Sequence, residues 1–108
     1  IDWSRSATSI HNKVRALLPW PTAFASYKGK MLKLYSTDVV SDCDETQVYS
    51  PGTIVAIHKS GGMDVATGAG IIRVFELQYE GKKRMRAFDW CNGQRVSVGE
   101  ALSSRHDL

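Results

Sequence analysis

The chain has 108 residues, 43% apolar and 23% charged, with fourteen Lys and Arg against eleven Asp and Glu for a net charge of +3. This is ordinary globular composition, which excludes a disordered, collagen-like or coiled-coil chain, and the length suits one hydrophobic core, so a single domain over 1–108 is expected. No apolar run approaches the roughly 20 residues of a membrane helix and no leader pattern opens the chain, which predicts a soluble, cytoplasmic protein without a membrane partner.

In chain order, the first element is a helix over about 6–17, because Ala7, Ile10, Val14 and Leu17 recur at spacings of 3, 4 and 3 and form one stripe. Pro19 and Pro21 stop it, since the residue before a proline is pushed from helical geometry and proline lacks a donor. Trp3 and Trp20 flank this helix and are expected to anchor it on the core, so that Trp20→Ala should cost roughly 3 to 5 kcal/mol. From Ala23 the pattern changes to short β-rich runs. Phe24–Tyr27 and Met31–Val40 read as a hairpin around Lys28-Gly29-Lys30, with Leu32 and Leu34 on one face and Lys33 and Tyr35 on the other. Ser41–Tyr49 is polar, acidic and loop-like. Strands follow over Thr53–His58, Met63–Ala66 and Ile71–Leu77, a short helix over Ala87–Cys91 capped by Asn92-Gly93, and a last strand over Arg95–Val98. Residues 103–108 form a tail. The fold expected is mostly β: a small open β-barrel over about 23–102, OB-like, with an N-terminal helix and a short helix near the C-terminus.

No complete catalytic constellation stands out. His11, His58 and His106 lack the spacing of a zinc site, and Cys43 and Cys91 are too few and too far apart for a disulfide framework. Asp42-Cys43-Asp44-Glu45 begins like a calcium loop but lacks the glycine and the closing glutamate. Gly68-Ala69-Gly70 starts like a dinucleotide fingerprint, yet Arg73 holds the third glycine's place and a strand follows, so it reads as a hairpin turn. Cys91 reads as packing. What remains is charge. Lys28, Lys30 and Lys33 surround the first hairpin, Lys82, Lys83, Arg84 and Arg86 follow Gly81, and Lys13 and Arg15 lie on the helix. Tyr27, Tyr35 and Tyr79 sit beside these clusters, as aromatic faces do where a small barrel grips nucleic acid. Solvated turns would produce the same runs.

Ile1-Asp2-Trp3, Ser6-Ala7, Ile10-His11-Asn12, Arg15-Ala16-Leu17 and Pro19-Trp20-Pro21-x-Ala23-Phe24 resemble the opening of the C-terminal domain of methionyl-tRNA formyltransferases. The resemblance continues through Gly29-Lys30-x-Leu32-Lys33, Pro51-Gly52-Thr53-Ile54, Val65-Ala66-Thr67-Gly68-x-Gly70 and Leu77-Gln78-x-Glu80-Gly81-Lys82-Lys83-Arg84-Met85, in the family's order and as far as about Leu102. It departs at Thr22, where a glycine is usual, at Arg86, where a small helix-capping residue is usual, and at Val98–Leu102, which lacks the customary proline before glycine. Without a side-chain cap, the helix after Arg86 should fray or start later.

The resemblance implies an OB-like open barrel that follows a Rossmann-like catalytic domain of the same chain. The family's catalytic Asn, His and Asp and its 10-formyltetrahydrofolate site belong to that N-terminal domain. No catalytic residue, cofactor or metal is therefore expected within this chain. Ile1 in place of an initiator methionine agrees with a piece cut from something longer. The implied partner is initiator methionyl-tRNA, held through a basic face. Lys82, Lys83 and Arg84 are the first candidates, because Gly81 sets three cations at a turn, and Lys30, Lys33 and Arg15 come second. A rival reading makes the chain a structural or interdomain part of a formyltetrahydrofolate hydrolase, dehydrogenase or sugar-nucleotide formyltransferase without RNA. A stand-alone single-strand binder is a third.

Overall fold

The computed structural model describes residues 1–41 and 49–103. The acidic stretch at 42–48, with its calcium-like pattern, and the tail with His106 lie outside the described residues. The first helix, α1, spans Ala7–Ala16. The Ser6 hydroxyl accepts from the Ser9 backbone N–H at 3.1 Å, satisfying one of the donors that a helix start leaves free. Ala7, Ile10 and Val14 are buried, as their spacing predicts, and Leu17 is half-buried where the helix ends.

Six strands follow: β1 (Phe24–Tyr27), β2 (Lys30–Ser41), β3 (Ile54–Ile57), β4 (Met63–Ala66), β5 (Ile71–Tyr79) and β6 (Arg84–Arg86). The second helix, α2, spans Ala87–Gln94. All pairs are antiparallel. β5 is the axis of the sheet: β2 runs along one of its edges, while β4 and then β6 share the other. Alternation sorts the residues. Leu34, Leu77 and Met85 form a row across β2, β5 and β6 on the inner face, and Lys33, Gln78 and Arg84 form the adjacent row on the outer face. Register shifts near Tyr35 on β2 and Phe75 on β5 bend the sheet there, as bulges do. The curled inner face holds Leu32, Leu34, Val65, Ile72, Val74 and Leu77, all fully buried, with α1 and α2 packed against it. This is the open, OB-like half-barrel expected.

The edges at β1 and β3 are joined by the last described segment. The Ile54 N–H donates to the Glu100 carbonyl (2.8 Å), the Leu102 N–H to the Gly52 carbonyl (2.8 Å) and the Ser103 N–H to the Ser26 carbonyl (2.8 Å). The strand expected over Arg95–Val98 is therefore displaced. Arg95 takes a left-handed conformation (φ 55°), and a turn between Ser97 and Glu100 delays extended pairing until residues 99–103. Gly52 is needed for this closure, since its φ is +94° and a Cβ there would strike the Leu102 carbonyl. Gly68 in the β4–β5 turn is crossed closely by the backbone at Ser4, and its N–H donates to the Trp3 carbonyl at 2.9 Å, so this is the hairpin turn expected.

Four further expectations are corrected. Arg84–Arg86 is a strand, with Met85 inward and an arginine on either side pointing out. α2 passes through Asn92-Gly93 and is capped by Arg95, because that position lets Val96 turn back into the core with its N–H on the Cys91 carbonyl (2.8 Å). α2 also begins at Ala87 and no later: the Phe88 N–H finds the Gly61 carbonyl (3.1 Å), and the Arg86 guanidinium, which has no acceptor to offer as a cap, pairs with Asp89. Finally, Trp3 is buried but Trp20 is 83% exposed. Trp90 on α2 occupies the core instead, in edge contact with Tyr27 (5.0 Å) and tilted against Tyr79 (5.4 Å). Trp20→Ala should then stay within about 0.5 kcal/mol, the range of surface changes.

Candidate nucleic-acid interface

The hydrogen-bond register brings two basic hairpin tips side by side. The Glu80 N–H donates to the Met31 carbonyl (2.9 Å) and the Met31 N–H to the Glu80 carboxylate (3.0 Å), which joins the end of β5 to the start of β2. The Lys28-Gly29 turn and the turn carrying Lys82 and Lys83 therefore flank one end of the sheet. Gly81 (φ +83°) makes the second turn possible, and it is held by the Lys82 N–H on the Tyr79 carbonyl (2.9 Å) and by the Gln78 amide on the Lys82 carbonyl (3.0 Å). Between the tips lies an open groove of about 310 Å³ lined by Met31, Lys33, Gln78, Tyr79, Glu80 and Gly81. Lys28, Lys30, Lys82 and Lys83 are exposed and Lys33 is half-buried, and none has an ion pair among the described residues. From Trp3 to Thr37 the chain carries six Lys and Arg and no Asp or Glu, so β1 and the part of β2 nearest the tips have no carboxylate of their own.

Arg84 is placed differently from its two lysine neighbours. It is the first residue of β6, its Nη2 donates to Glu76 at 2.6 Å, and its guanidinium lies 4.2 Å over the Tyr35 ring. Tyr35 in turn donates to Gln78 (2.9 Å), so the outer row is tied together by Tyr35, Gln78, Arg84 and Glu76. Arg15 belongs to the other layer, exposed on α1, whose buried stripe packs on the inner face. The structure thus gathers Lys30, Lys33, Lys82 and Lys83 at one end, sets Arg84 beside them in an ion pair, and leaves Arg15 apart. Tyr27 and Tyr79 do not offer stacking faces. Both point inward, at 3% and 5% exposure, with the Tyr27 hydroxyl on Glu100 (2.6 Å) and the Tyr79 hydroxyl on the Tyr27 carbonyl (2.9 Å). Burial, reinforced by Glu100, pushes the Tyr27 phenol well above its ordinary value, and it stays protonated.

A second charged group sits nearer β3 and was not anticipated. Asp64 on β4 faces Arg73 on β5 and accepts two bonds from its guanidinium (2.7 and 3.1 Å). His58 Nε2 is 3.0 Å from the same carboxylate and 3.3 Å from Arg73. Partial burial alone would raise the Asp64 pKa, but the bonds from Arg73 and His58 outweigh it and hold the carboxyl below its usual range. An aspartate inside the otherwise apolar run Met63–Ala66 was the signal to follow. Burial also pushes the Cys91 thiol up to about 12, so it stays a thiol, 3.5 Å from the Met63 sulfur. Among the described residues no cluster could hold a metal ion, and no helix is long and apolar enough to cross a membrane.

Residues 1–95 match the model of the formyl transferase C-terminal domain family. The chain belongs to that family. Among curated relatives, it is 39% identical to the methionyl-tRNA formyltransferase of Acetivibrio thermocellus over 94% of this chain and 32% of that protein. It is 41% identical to that of Geobacter metallireducens over 94% of this chain and 31% of the relative. For Solibacter usitatus the figures are 37%, 98% and 32%. The chain thus spans about a third of the length of the relatives it matches. Thr22 adopts φ +76°, a region that suits glycine, and its hydroxyl donates to the Pro19 carbonyl (2.9 Å).

Proposed function

We propose that this chain is the non-catalytic C-terminal domain, a single unit over 1–108, of a methionyl-tRNA formyltransferase. In this reading it holds initiator methionyl-tRNA, while a Rossmann-like N-terminal domain of the same protein transfers the formyl group from 10-formyltetrahydrofolate to the methionyl amino group. The observation that carries the RNA half is the adjacency of two lysine-bearing tips, without an ion-paired partner among the described residues, on either side of an open groove. Lys82, Lys83, Lys30 and Lys33 neutralise backbone phosphates there. Arg84 adds less, because its guanidinium is already paired with Glu76, and Arg15 contributes to the field from α1. The residues do not fit the formyl donor: the groove is open and its polar lining, Lys33, Gln78 and Glu80, lies at the surface.

The test is made in the full-length enzyme. Neutralising about three phosphates makes log affinity for methionyl-tRNA fall with log salt at a slope of roughly −2 to −3. Replacing Lys82 and Lys83 with alanine should reduce affinity and flatten that slope. Unchanged affinity with lowered stability would favour the structural, RNA-free role instead.

A further inference from the structure

Trp20 differs from the other tryptophans of the chain. It is 83% exposed, whereas Trp3 and Trp90 are at 1%. It is the fourth of five consecutive apolar residues, Leu17-Leu18-Pro19-Trp20-Pro21, of which Pro19, Trp20 and Pro21 are exposed and Leu17 and Leu18 half-buried. The segment is held stiffly. Two pyrrolidine rings fix φ on both sides of the indole, the Thr22 N–H closes the loop on the Leu17 carbonyl (2.9 Å), and the Thr22 hydroxyl bonds the Pro19 carbonyl (2.9 Å). A large aromatic presented on a rigid loop loses little conformational freedom when it is covered, which is the character of an interface anchor.

Two observations select what covers it. The first is charge and position. Ala23 accepts from the Leu34 N–H (3.0 Å), so the loop leaves β1 at the level of Tyr35, while Lys30 pairs with Tyr27 at the far end of the strand. The lysine tips and Trp20 therefore lie at opposite ends of β1, and an indole framed by prolines suits an apolar protein pocket better than a phosphate-rich strand. The second is where the preceding chain joins. The Ile1 amino group donates to the Phe24 carbonyl (2.9 Å), and Phe24 is four residues past Trp20, so their Cα atoms are at most about 14 Å apart. Whatever precedes Ile1 therefore enters within about 20 Å of Trp20, at high effective concentration.

We propose that Trp20 docks into an apolar pocket on the domain that precedes this one, and so fixes the orientation of the two. The proposal rests on reading this chain as the C-terminal part of a two-domain protein. It does not depend on the RNA role of the lysines. The experiment is hydroxyl-radical footprinting of the full-length protein, with and without methionyl-tRNA, read at Trp20 by mass spectrometry against a free tryptophan amide. The expected result is oxidation at least fivefold slower than the free probe in the absence of RNA. Oxidation within fivefold of the probe without RNA overturns the proposal, and protection that appears only when RNA is added assigns Trp20 to the nucleic acid instead. Trp20→Ala in the same protein keeps the Trp90 environment intact and speeds proteolysis just before Ile1 at least threefold. A smaller increase likewise overturns it. Failure of the Lys82 and Lys83 substitutions to weaken RNA binding would sink the RNA reading and leave the footprint result standing.

Discussion

The two charged groups of the sheet differ in what remains after each has satisfied itself. Near β3, Asp64 takes two bonds from Arg73 and one from His58, and the group closes on itself. At the hairpin tips, Lys28, Lys82 and Lys83 project from turns and Lys30 from the first residue of β2, with no ion pair among the described residues. A count of Lys and Arg does not distinguish the two, but cross-strand register does. An arginine opposite an aspartate in a strand is part of the structure, whereas a lysine on a turn keeps its charge for a partner.

The largest effect should come from breaking the closed group. Asp64→Ala leaves Arg73 beside β4 without its acceptor and should cost about 2 kcal/mol, less than the 3 to 5 of a fully buried pair, because Arg73 and His58 keep 33% and 37% of their side chains exposed. Denaturant unfolding measures it, and a loss below 0.5 kcal/mol would mean that this group matters no more than any surface pair. The same carboxylate sets a pH dependence. Its folded pKa is depressed, so its contribution is complete above the ordinary aspartate value near 3.8 and is lost as pH falls through the lower folded value. Wild type should therefore lose more stability than Asp64→Asn between pH 5 and pH 2.5.

The open group should show the reverse pattern: little change in stability and a clear change in binding. Lys82→Ala with Lys83→Ala should weaken affinity for methionyl-tRNA roughly tenfold, about 1.4 kcal/mol, and lower the salt slope by about 2. A shift in the melting transition with unchanged affinity would erase the distinction between the two groups.

Much of this was legible in the sequence, and the reasons for the rest are physical. The stripe on α1 and the alternation of Leu32 and Leu34 with Lys33 and Tyr35 gave the helix and the first hairpin, because period alone decides which face is buried. The expectation for Trp20 fails while that for Trp3 holds, since both are large aromatics beside a helix and only tertiary packing decides which one turns inward. β6 was missed because three residues are too short for a period, and its cations read as a turn. The lysines were found as sequence clusters, but the adjacency of the tips depends on Glu80 meeting Met31, a pairing 49 residues apart that no local pattern contains.

Arg84 lies between the two groups and gives the smallest and most discriminating prediction. It sits in the row with the lysine tips, yet Glu76 holds it at 2.6 Å and the Tyr35 ring lies beneath it. The pair is exposed, with 55% and 45% of the side chains in water, so it is worth at most about 1 kcal/mol to stability. Its effect on binding is larger in kind, because a phosphate approaching Arg84 has to displace or tolerate a carboxylate already there. Arg84→Ala alone should then change RNA affinity by less than about threefold, under 0.7 kcal/mol. Glu76→Gln removes the competing charge while keeping the side chain's length and an oxygen acceptor, and should raise affinity about twofold and steepen the salt slope by about 1 as Arg84 is released. If Glu76→Gln instead weakens binding, Glu76 is needed to aim the guanidinium, and Arg84 belongs with the lysines as a contact already in place.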